Sequence, residues 1–531
     1  MKKTRWIFGM LGIVLVGLSF WQIKSSANGL QIEHTQRSGV PITIIGPRDD
    51  MNGSRPLVLI GHGFAGSGTV MRGFAYTFAH AGYVVALWDF DGHAANPNPL
   101  PNDSMSGGLV PNAETTLAEV KRIGWADTSR LAILGHSMGS GVALSFGQLH
   151  PETAATIAVS PVGISVTPEL PHNLLLLAGS LEPQFASSAE SRLSEAGGPG
   201  GDTRQGTARK LAIIAGVEHI SIVFSPTAHA TALNWLNDTF GIQPGAVPYT
   251  DRRIVWFGIG LLGTLLASVS LIPRMQTSLS KTPIPAFWKR LLALTGGALV
   301  ATLVLWAVSL AGMDISRLLG LRVGGYLFLW FFLAGLTSLL ILFVLNPLVV
   351  SNAALFVVSH VAQRSDVDPL VVSHAAPLVV SHAAQRSGVP TQIYAVISGL
   401  LIFASLWIGF ALFGGSVWLP WLLILKRLVL WPLGIIALLP WFLAVGRVSQ
   451  VARGWGKMGW WLFQSILLIT SLMLAIRLTP ALGFLTLILP IFPIILFFHT
   501  IPTLPHHNAW SYAISGATFV SWLLLAVFPL I

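Results

Sequence analysis

A serine at position 137 stands at the centre of the pentapeptide Gly135-His-Ser-Met-Gly139, between an apolar stretch and a run of small residues. This is the G-x-S-x-G pattern, in which a sharp turn from a strand into a helix exposes the serine side chain. Glycines two positions before and after the serine let neighbouring backbone approach closely. The helix that begins after the serine directs free N–H groups toward an oxyanion. The pattern therefore indicates a serine nucleophile at residue 137.

The elements that would position this serine are predicted on both sides of it. From about residue 30 to residue 241, short apolar stretches alternate with helical ones. Strands are predicted at 42–45, 56–60, 83–88, 131–135, 156–159, 174–178 and 210–215, and helices at 69–81, 113–123 and 226–240. Such alternation is typical of an α/β fold with a doubly wound, mostly parallel sheet. The connection between residues 161 and 173 is too short for a large helical cap, so we expect the site to be open or covered by something else.

With this alternation and the serine turn, residues 30–245 resemble the α/β-hydrolase superfamily, and the turn is the most specific part of the resemblance. The resemblance implies a serine hydrolase that works through a covalent acyl-enzyme. It also implies that the catalytic base follows the last strand, where His219 stands after the strand at 210–215. The alternatives are His229, which falls inside the final helix, and His150, which precedes any acid in the required chain order.

The same resemblance places the orienting acid in the turn after the penultimate strand. Glu182 stands there, just past the strand predicted at 174–178. The superfamily more often has Asp in this turn, and Glu is a known alternative. Asp202 and Glu218 are the competing carboxylates. Glu182 is therefore predicted to orient His219.

Two backbone N–H groups are predicted to hold the oxyanion. One belongs to Met138, which follows the nucleophile. The other belongs to Phe64, in the loop Gly61-His-Gly-Phe-Ala-Gly66, which resembles the His-Gly-x loop of the superfamily. The histidines beside these two positions, His62 and His136, are predicted to contact the substrate.

The loop at 61–66 also satisfies the pattern G-x-G-x-x-G, and Asp89 ends the next predicted strand. Together they would suit a dinucleotide-binding domain. That alternative leaves the serine turn, Glu182 and His219 unexplained, so we expect no cofactor. Residues 89–93 are predicted to form a structural turn. No metal site is expected, because the histidines of this half lack partners at metal-ligand spacing.

The composition of the chain is that of a membrane protein. Of its 531 residues, 53% are hydrophobic and 10% are charged, and the mean hydropathy is +0.69. Seventeen of the 21 Asp and Glu precede residue 251, so only the first half has a water-soluble composition. Lys and Arg scattered between apolar runs account for the net charge of +10, which argues against nucleic-acid binding. The absence of cysteine excludes disulfides and cysteine nucleophiles.

Three parts are predicted: residues 1–27, 28–245 and 246–531. The first is a signal anchor or a cleavable signal peptide, since a basic start precedes the apolar run 6–23 and Ser25-Ser26-Ala27 would suit cleavage. We favour the anchor. The second is the hydrolase domain, and the third is an all-α transmembrane domain. Its apolar runs of spanning length lie at about 254–272, 291–313, 323–345, 393–414, 428–446, 458–476, 480–498 and 510–530.

The charges between these runs predict how the chain crosses the cell membrane. Basic loops at 273–290 and 447–457 fall on the same side as the N-terminus, which predicts that the hydrolase domain is extracytoplasmic. Four cations fall on the unexpected side: Arg252, Arg253, Lys426 and Arg427. No Asp or Glu lies within an apolar run, which argues against an ion-coupled transporter.

Residues 347–390 contain a 22-residue unit that is used twice. Pro347-Leu-Val-Val-Ser-Asn-Ala-Ala354 recurs with small changes at 369–376 and 377–384. The histidines of the segment are spaced by the repeat, so they are interpreted as copies of one residue and not as a set of metal ligands: His360, His374 and His382. The segment is predicted to be a tolerated cytoplasmic insertion.

These features predict a membrane-bound serine hydrolase that cleaves carboxylic esters, with lipid-like esters among the candidates. Peptidase, amidase and thioesterase activities stay open, because the serine turn determines the mechanism and not the acyl donor. A non-enzymatic alternative is a hydrolase-like binding module on a membrane scaffold or transporter. The oligomeric state is left open.

Overall fold

Two halves of different architecture follow one another along the chain, an α/β half and an all-helical half. The computed structural model describes residues 2–49, 52–104, 107–272, 285–345, 391–419 and 422–531. The repeat at 347–390 and most of the basic loop at 273–290 lie outside these residues.

An eight-stranded sheet forms the centre of the first half, in the order β1-β2-β4-β3-β5-β6-β7-β8. The strands are β1 (Leu30–Arg37), β2 (Val40–Pro47), β3 (Pro56–Gly61), β4 (Val84–Trp88), β5 (Asp127–His136), β6 (Thr153–Val159), β7 (Leu174–Gly179) and β8 (Arg209–Ile214). Strands β3 to β8 run parallel, whereas β1 and β2 are antiparallel to their neighbours. The prediction of a mostly parallel α/β sheet is therefore confirmed. β1 was not predicted because it is a polar edge strand in which only Leu30 is buried.

Helices cover both faces of this sheet, and the side chains of β3 show the alternation between them. Val58 and Ile60 belong to the apolar core that contains α2 (Arg72–His80) and α6 (Pro226–Phe240). Leu57 and Leu59 belong to the core on the other face. That face carries α3 (Val110–Ile123), α4 (Met138–Leu149) and α5 (Pro183–Glu195). All four strand residues are fully buried, as is typical of a parallel sheet covered on both faces. α5 was not predicted because it buries only Ala189 and so lacks an apolar period.

Long apolar helices make up the second half, and α1 joins them. They are α1 (Lys2–Ser25), α7 (Arg253–Leu271), α8 (Phe287–Leu310), α9 (Gly324–Val344), α10 (Thr391–Val417), α11 (Trp431–Ser449), α12 (Trp455–Leu478), α13 (Ile491–Thr503) and α14 (Ala509–Val527). In the part of the chain that the structure describes, eight helices, all of these except α13, are long and apolar enough to cross a membrane. α1 packs closely along α7, because a Cβ at Gly12 would lie 2.6 Å from the carbonyl oxygen of Gly263.

The apolar run predicted at 480–498 differs from the others, because it is broken into short pieces. A 3-10 turn (Pro480–Leu482), a four-residue helix (Leu485–Ile488) and α13 follow one another. Pro490, at the N-terminal cap of α13, lacks the N–H that would continue the preceding helix. We call residues 484–503 the broken segment.

The broken segment still runs the length of the helical bundle. At its start, the ring of Phe484 stacks on Phe64 of the first half, with centroids 4.4 Å apart. At its end, the carbonyl oxygen of Thr503 accepts a hydrogen bond of 3.0 Å from Lys457 Nζ, near the opposite end of the bundle. The run therefore extends along the bundle in pieces, and in the described residues none of its helices is long enough to cross a membrane by itself.

Buried arginines join the two halves. Arg427 donates hydrogen bonds of 2.6 Å to the carbonyl oxygens of Phe528 and Gly92. Leu530 extends this junction with two backbone hydrogen bonds of 2.8 Å. Its N–H donates to the carbonyl oxygen of Gly92, and its carbonyl oxygen accepts from Leu100 N. Arg253 forms a two-pronged ion pair with Asp251 (2.7 and 2.8 Å), and its guanidinium lies over the ring of Tyr76 in the first half, 4.4 Å from the ring centroid. Two of the four cations on the unexpected side are thus satisfied by buried acceptors, which lowers the cost of their position.

Candidate active site

The turn at Ser137 connects β5 to α4 and has a strained backbone. Ser137 has φ 53° and ψ −118°, a conformation that non-glycine residues rarely adopt. A Cβ at Gly135 would lie 1.8 Å from Gly139 O, and one at Gly139 would lie 2.6 Å from the carbonyl oxygen of Gly61. Both glycines of the pentapeptide are therefore required for the turn to form against the end of β3.

Three side chains that were predicted from distant parts of the chain meet at this turn. His219 Nε2 lies 2.9 Å from Ser137 Oγ, and His219 Nδ1 lies 2.8 Å from Glu182 Oε2. All three side chains are buried. Because Nδ1 faces a carboxylate, that nitrogen carries the ring proton, and Nε2 is left to accept the proton of the serine hydroxyl. The arrangement can activate Ser137 as a nucleophile.

Glu182 is held in place by two donors on its other oxygen. Oε1 accepts hydrogen bonds from Ser160 Oγ (2.7 Å) and from Gly179 N (2.6 Å). The ring of Phe185 stacks on the imidazole of His219, with centroids 4.0 Å apart. Glu182 and the ring are thus fixed in orientation. Ser160 was missed, although it directly follows β6 at the edge of the sheet where the carboxyl ends of parallel strands meet.

The competing residues lie elsewhere or serve other bonds. His229 Nε2 bonds to the carbonyl oxygen of Val223 in the domain core, and His150 lies between two surface glutamates. Asp202 accepts from Arg204 N, and the carboxylate of Glu218 accepts from the backbone of its own turn. None of these four competing side chains is bonded to Ser137 or to His219 in the hydrogen bonds described above.

The two predicted oxyanion donors flank the nucleophile. Met138 is the first residue of α4, so its N–H lacks an intrahelical partner. Phe64 occupies a tight turn that is closed by a bond of 3.1 Å from Gly66 N to Gly63 O. A Cβ at Gly63 would lie 3.2 Å from the Cβ of Ser137, so glycine permits this loop to approach the serine.

His62 does not contact the cavity, which corrects the prediction that it binds substrate. Its ring is fully buried, with Nδ1 donating to Gly63 O (2.8 Å) and Nε2 accepting from Phe90 N (3.0 Å). Burial lowers the pKa of His62 to about 4, so the ring is neutral at pH 7. His62 therefore positions the loop that carries Phe64.

His136 lines the cavity next to Ser137, and its contact with substrate stays a prediction. Its Nε2 lies 2.8 Å from the carbonyl oxygen of His219 and ties the two segments together. Burial lowers the pKa of His136 well below its usual value, and the neighbouring His219 lowers it further. A neutral His136 therefore forms part of the cavity wall.

Asp89 is a structural residue of its turn. Its carboxylate accepts from Gly68 N (2.8 Å) and Ala95 N (3.1 Å), and burial raises its pKa. The carboxylate is therefore used within the fold and does not present itself to a nucleotide ribose. Within the described ranges, no group of three or more His, Asp and Glu side chains is placed to hold a metal ion.

A cavity of about 120 Å³ at Ser137 lies between the two halves of the chain. From the first half it is lined by Gly63, Phe64, Ala65, Gly66, Val70, His136, Ser137, His219, Ile220 and Val223. From the second half it is lined by Phe410, Trp418, Leu487, Ile488, Ile491, Phe492, Ile495, Leu523, Leu524, Val527 and Phe528. In the described part of the first half no helical cap lies over Ser137, and the broken segment covers the site together with residues of α10 and α14.

Residues 52–196 match the profile of the family described as Hydrolase_4, serine aminopeptidase, S33. Similar solved structures include a membrane phospholipase A described as a novel bacterial virulence factor (15% identity, covering 43% of this chain and 92% of that one, TM-score 0.33). They also include a hormone-sensitive lipase from a metagenome library (14%, 42%, 92%, 0.31) and a soluble variant of the monoglyceride lipase of Saccharomyces cerevisiae (14%, 39%, 95%, 0.30). No curated protein matches the chain.

Proposed function

We propose that this chain, whose residues 52–196 match the Hydrolase_4 family, is a membrane-bound serine hydrolase of the α/β-hydrolase superfamily that cleaves carboxylic esters. The observation that carries the proposal is the unbroken hydrogen-bond relay from Ser137 through His219 to Glu182, with distances of 2.9 and 2.8 Å. The relay faces a cavity, so an acyl group has room to reach the serine.

The proposed reaction proceeds in two steps. Ser137 Oγ attacks the ester carbonyl and passes its proton to His219 Nε2, while Glu182 stabilises the imidazolium that forms. The N–H groups of Phe64 and Met138 stabilise the oxyanion. Collapse of the intermediate breaks the C–O bond, and His219 protonates the departing alkoxide. Water then attacks the acyl-enzyme by the same route, releasing the carboxylic acid and restoring Ser137.

The lining of the cavity favours an ester over a peptide with a free N-terminus. Of the side chains that line it, none is an Asp, Glu, Lys or Arg. A charged α-amino group would therefore lose its hydration without gaining a counter-charge, which is costly in an apolar site. An ester carries no such charge. Thioester hydrolysis remains the second candidate, because its acyl group is equally apolar.

We also propose that the hydrolase domain is extracytoplasmic in a multi-pass protein of the cell membrane. Several cations lie at the end of the bundle opposite that domain. Arg5 donates to Ile272 O (2.6 Å), Lys289 to Leu345 O (2.9 Å) and Arg290 to Val448 O (2.9 Å). This distribution supports a cytoplasmic location for that end.

Labelling with a fluorophosphonate probe, which phosphonylates activated serines, tests the proposed function. We expect the purified full-length protein to be labelled and Ser137→Ala not to be. Ser187→Ala is the matched control, because Ser187 is exposed on α5 and does not line the cavity. Labelling of the control at the wild-type level shows that loss of signal is specific to Ser137. A folded wild-type protein that resists the probe would favour the non-catalytic binding module.

A further inference from the structure

The cavity at Ser137 is polar only at one end. Ser137, His136 and His219 lie there, and every other lining residue is glycine, aliphatic or aromatic. Eleven of the 21 lining residues come from the second half of the chain. The hydrolase domain therefore supplies the reacting groups but only about half of the residues that line the cavity.

The apolar part of the cavity reaches below the ends of the membrane helices. Phe410 lies seven residues before the end of α10, which places it about 10 Å from that helix end at 1.5 Å per residue. Leu523 lies four residues, or about 6 Å, before the end of α14. Ile495 lies the same distance after the start of α13. All three residues line the cavity. The site thus extends from the hydrolase domain into the helical bundle.

Aromatic rings close the inner end of this space. Phe410 packs edge-to-face against two rings that lie deeper in the bundle. The centroid distances are 5.6 Å to Phe498 and 5.2 Å to Phe519. At the outer end, Phe484 of the broken segment stacks on Phe64, whose N–H is a proposed oxyanion donor. A substrate held by the oxyanion donors would therefore have its acyl substituent directed between the membrane helices.

An apolar space bounded in this way suits one kind of substituent. It offers no hydrogen-bond partner along its inner walls, so a polar or charged group placed there would lose its hydration without compensation. A hydrocarbon chain loses nothing, and its contact with aliphatic and aromatic walls is favourable. Part of the walls comes from α10 and α14, two helices that are long and apolar enough to cross a membrane.

We infer that the membrane half of this chain binds the acyl chain of a fatty acyl ester, in a slot lined by Phe410, Ile488, Ile491, Ile495, Leu523 and Leu524. The inference rests on the proposed function, since it places the ester carbonyl at Ser137. The hydrocarbon tail enters the bundle, and the alcohol or headgroup side points toward the hydrolase domain. The membrane half is then part of the substrate-binding site as well as an anchor.

Chain-length profiles of the purified full-length protein in detergent test this inference. We expect kcat/KM for p-nitrophenyl octanoate to exceed that for the acetate at least tenfold. Ile495→Trp fills the slot and should lower the octanoate-to-acetate ratio at least tenfold. Ile495→Ala deepens the slot and should shift the preferred chain to a longer one. Ile494→Trp is the matched control on the same helix, because Ile494 is 54% exposed and does not line the cavity, and it should keep the wild-type profile.

The outcomes separate this inference from the proposed function. Fluorophosphonate labelling of each variant shows that it is folded and that Ser137 is reactive. If wild type is labelled but shows no rise with chain length, or if the Ile495 and Ile494 variants share one profile, the slot is refuted and the hydrolase stands. Faster cleavage of a hydrophobic peptide anilide than of the octanoate would also refute it. Fatty acid released from phosphatidylethanolamine vesicles would identify bilayer lipid as the ester source, whereas octanoate hydrolysis without such release supports a smaller acyl ester in the slot.

Discussion

Exchanging the carboxylate of Glu182 for an amide should invert the hydrogen-bond relay. In Glu182→Gln, the amide oxygen can still accept from Ser160 Oγ (2.7 Å) and Gly179 N (2.6 Å). The amide nitrogen then takes the place of Oε2, 2.8 Å from His219 Nδ1. Because an amide nitrogen only donates, Nδ1 must accept and the ring proton moves to Nε2. In that tautomer the imidazole cannot take the proton of Ser137.

The expected loss of activity is large, because general-base catalysis is removed even though substrate binding is kept. The same acid-to-amide change in a serine protease lowers kcat by about 10⁴, which corresponds to about 5.5 kcal/mol of transition-state stabilisation. KM should change little, because Glu182 does not line the cavity. Glu182→Asp keeps the charge but withdraws it by one methylene, and we expect a loss of about 10²-fold from the misplaced imidazole.

Initial rates of p-nitrophenyl octanoate hydrolysis by the full-length protein measure these effects, and the thermal unfolding midpoint reports on folding. Glu190→Gln is the control, because it makes the same chemical change on the exposed face of α5. The reasoning is refuted if Glu182→Gln retains activity within tenfold of wild type at an unchanged midpoint. It is also refuted if the control loses as much activity as Glu182→Gln.

Three further predictions concern the loop, the pH dependence and the junction of the halves. Gly63→Ala places a Cβ 3.2 Å from the Cβ of Ser137 and should displace the Phe64 donor, lowering kcat about 10²-fold; wild-type rates would contradict this. Because burial holds the pKa of His62 at about 4 against about 6.5 when unfolded, the unfolded chain binds the extra proton. The contribution of His62 to the free energy of unfolding should therefore be complete above pH 7 and fall by roughly 3 kcal/mol as the pH drops to 4. Thermal melting at each pH measures this loss, which should be smaller in His62→Gln. Arg427→Gln should lower the free energy of unfolding by about 3 kcal/mol or more, because buried carbonyl oxygens lose their donor. Lys426→Gln removes a more exposed cation and should change the melting midpoint little. Equal shifts in the two variants would contradict the role of Arg427.

Local patterns, together with the resemblance to the α/β-hydrolase superfamily, were sufficient to select the three side chains that meet at the serine turn. The serine turn is a pentapeptide with its own backbone requirement, and the sheet strands are short apolar runs whose order in the chain restricts where a base and an acid can stand. Ser137, Glu182 and His219 could therefore be selected without coordinates. β1 and α5 escaped prediction because they lie at the surface and bury almost nothing, which leaves no apolar period to detect.

Long-range contacts were beyond reach of the same patterns. Ser160 supports Glu182 across 22 residues, and although its position after β6 places it at the edge of the sheet that carries the site, that position does not identify Glu182 as its partner. His62 was assigned to substrate because it adjoins the oxyanion loop, yet its ring points into the core, a direction that sequence does not give. The cavity walls from the broken segment depend on how membrane helices dock against the hydrolase domain. The proline that breaks the segment was visible in the sequence, but its place over the active site was not.

The acyl-enzyme is the central claim, and peptide mapping after an acid quench tests it most directly. The good leaving group of p-nitrophenyl octanoate makes acylation fast, so the acyl-enzyme should accumulate during turnover. We predict an octanoyl group on the peptide that contains Ser137, and none on that peptide in Ser137→Ala. Steady ester turnover with the acyl group on another residue, or with no covalent adduct at all, would contradict the account.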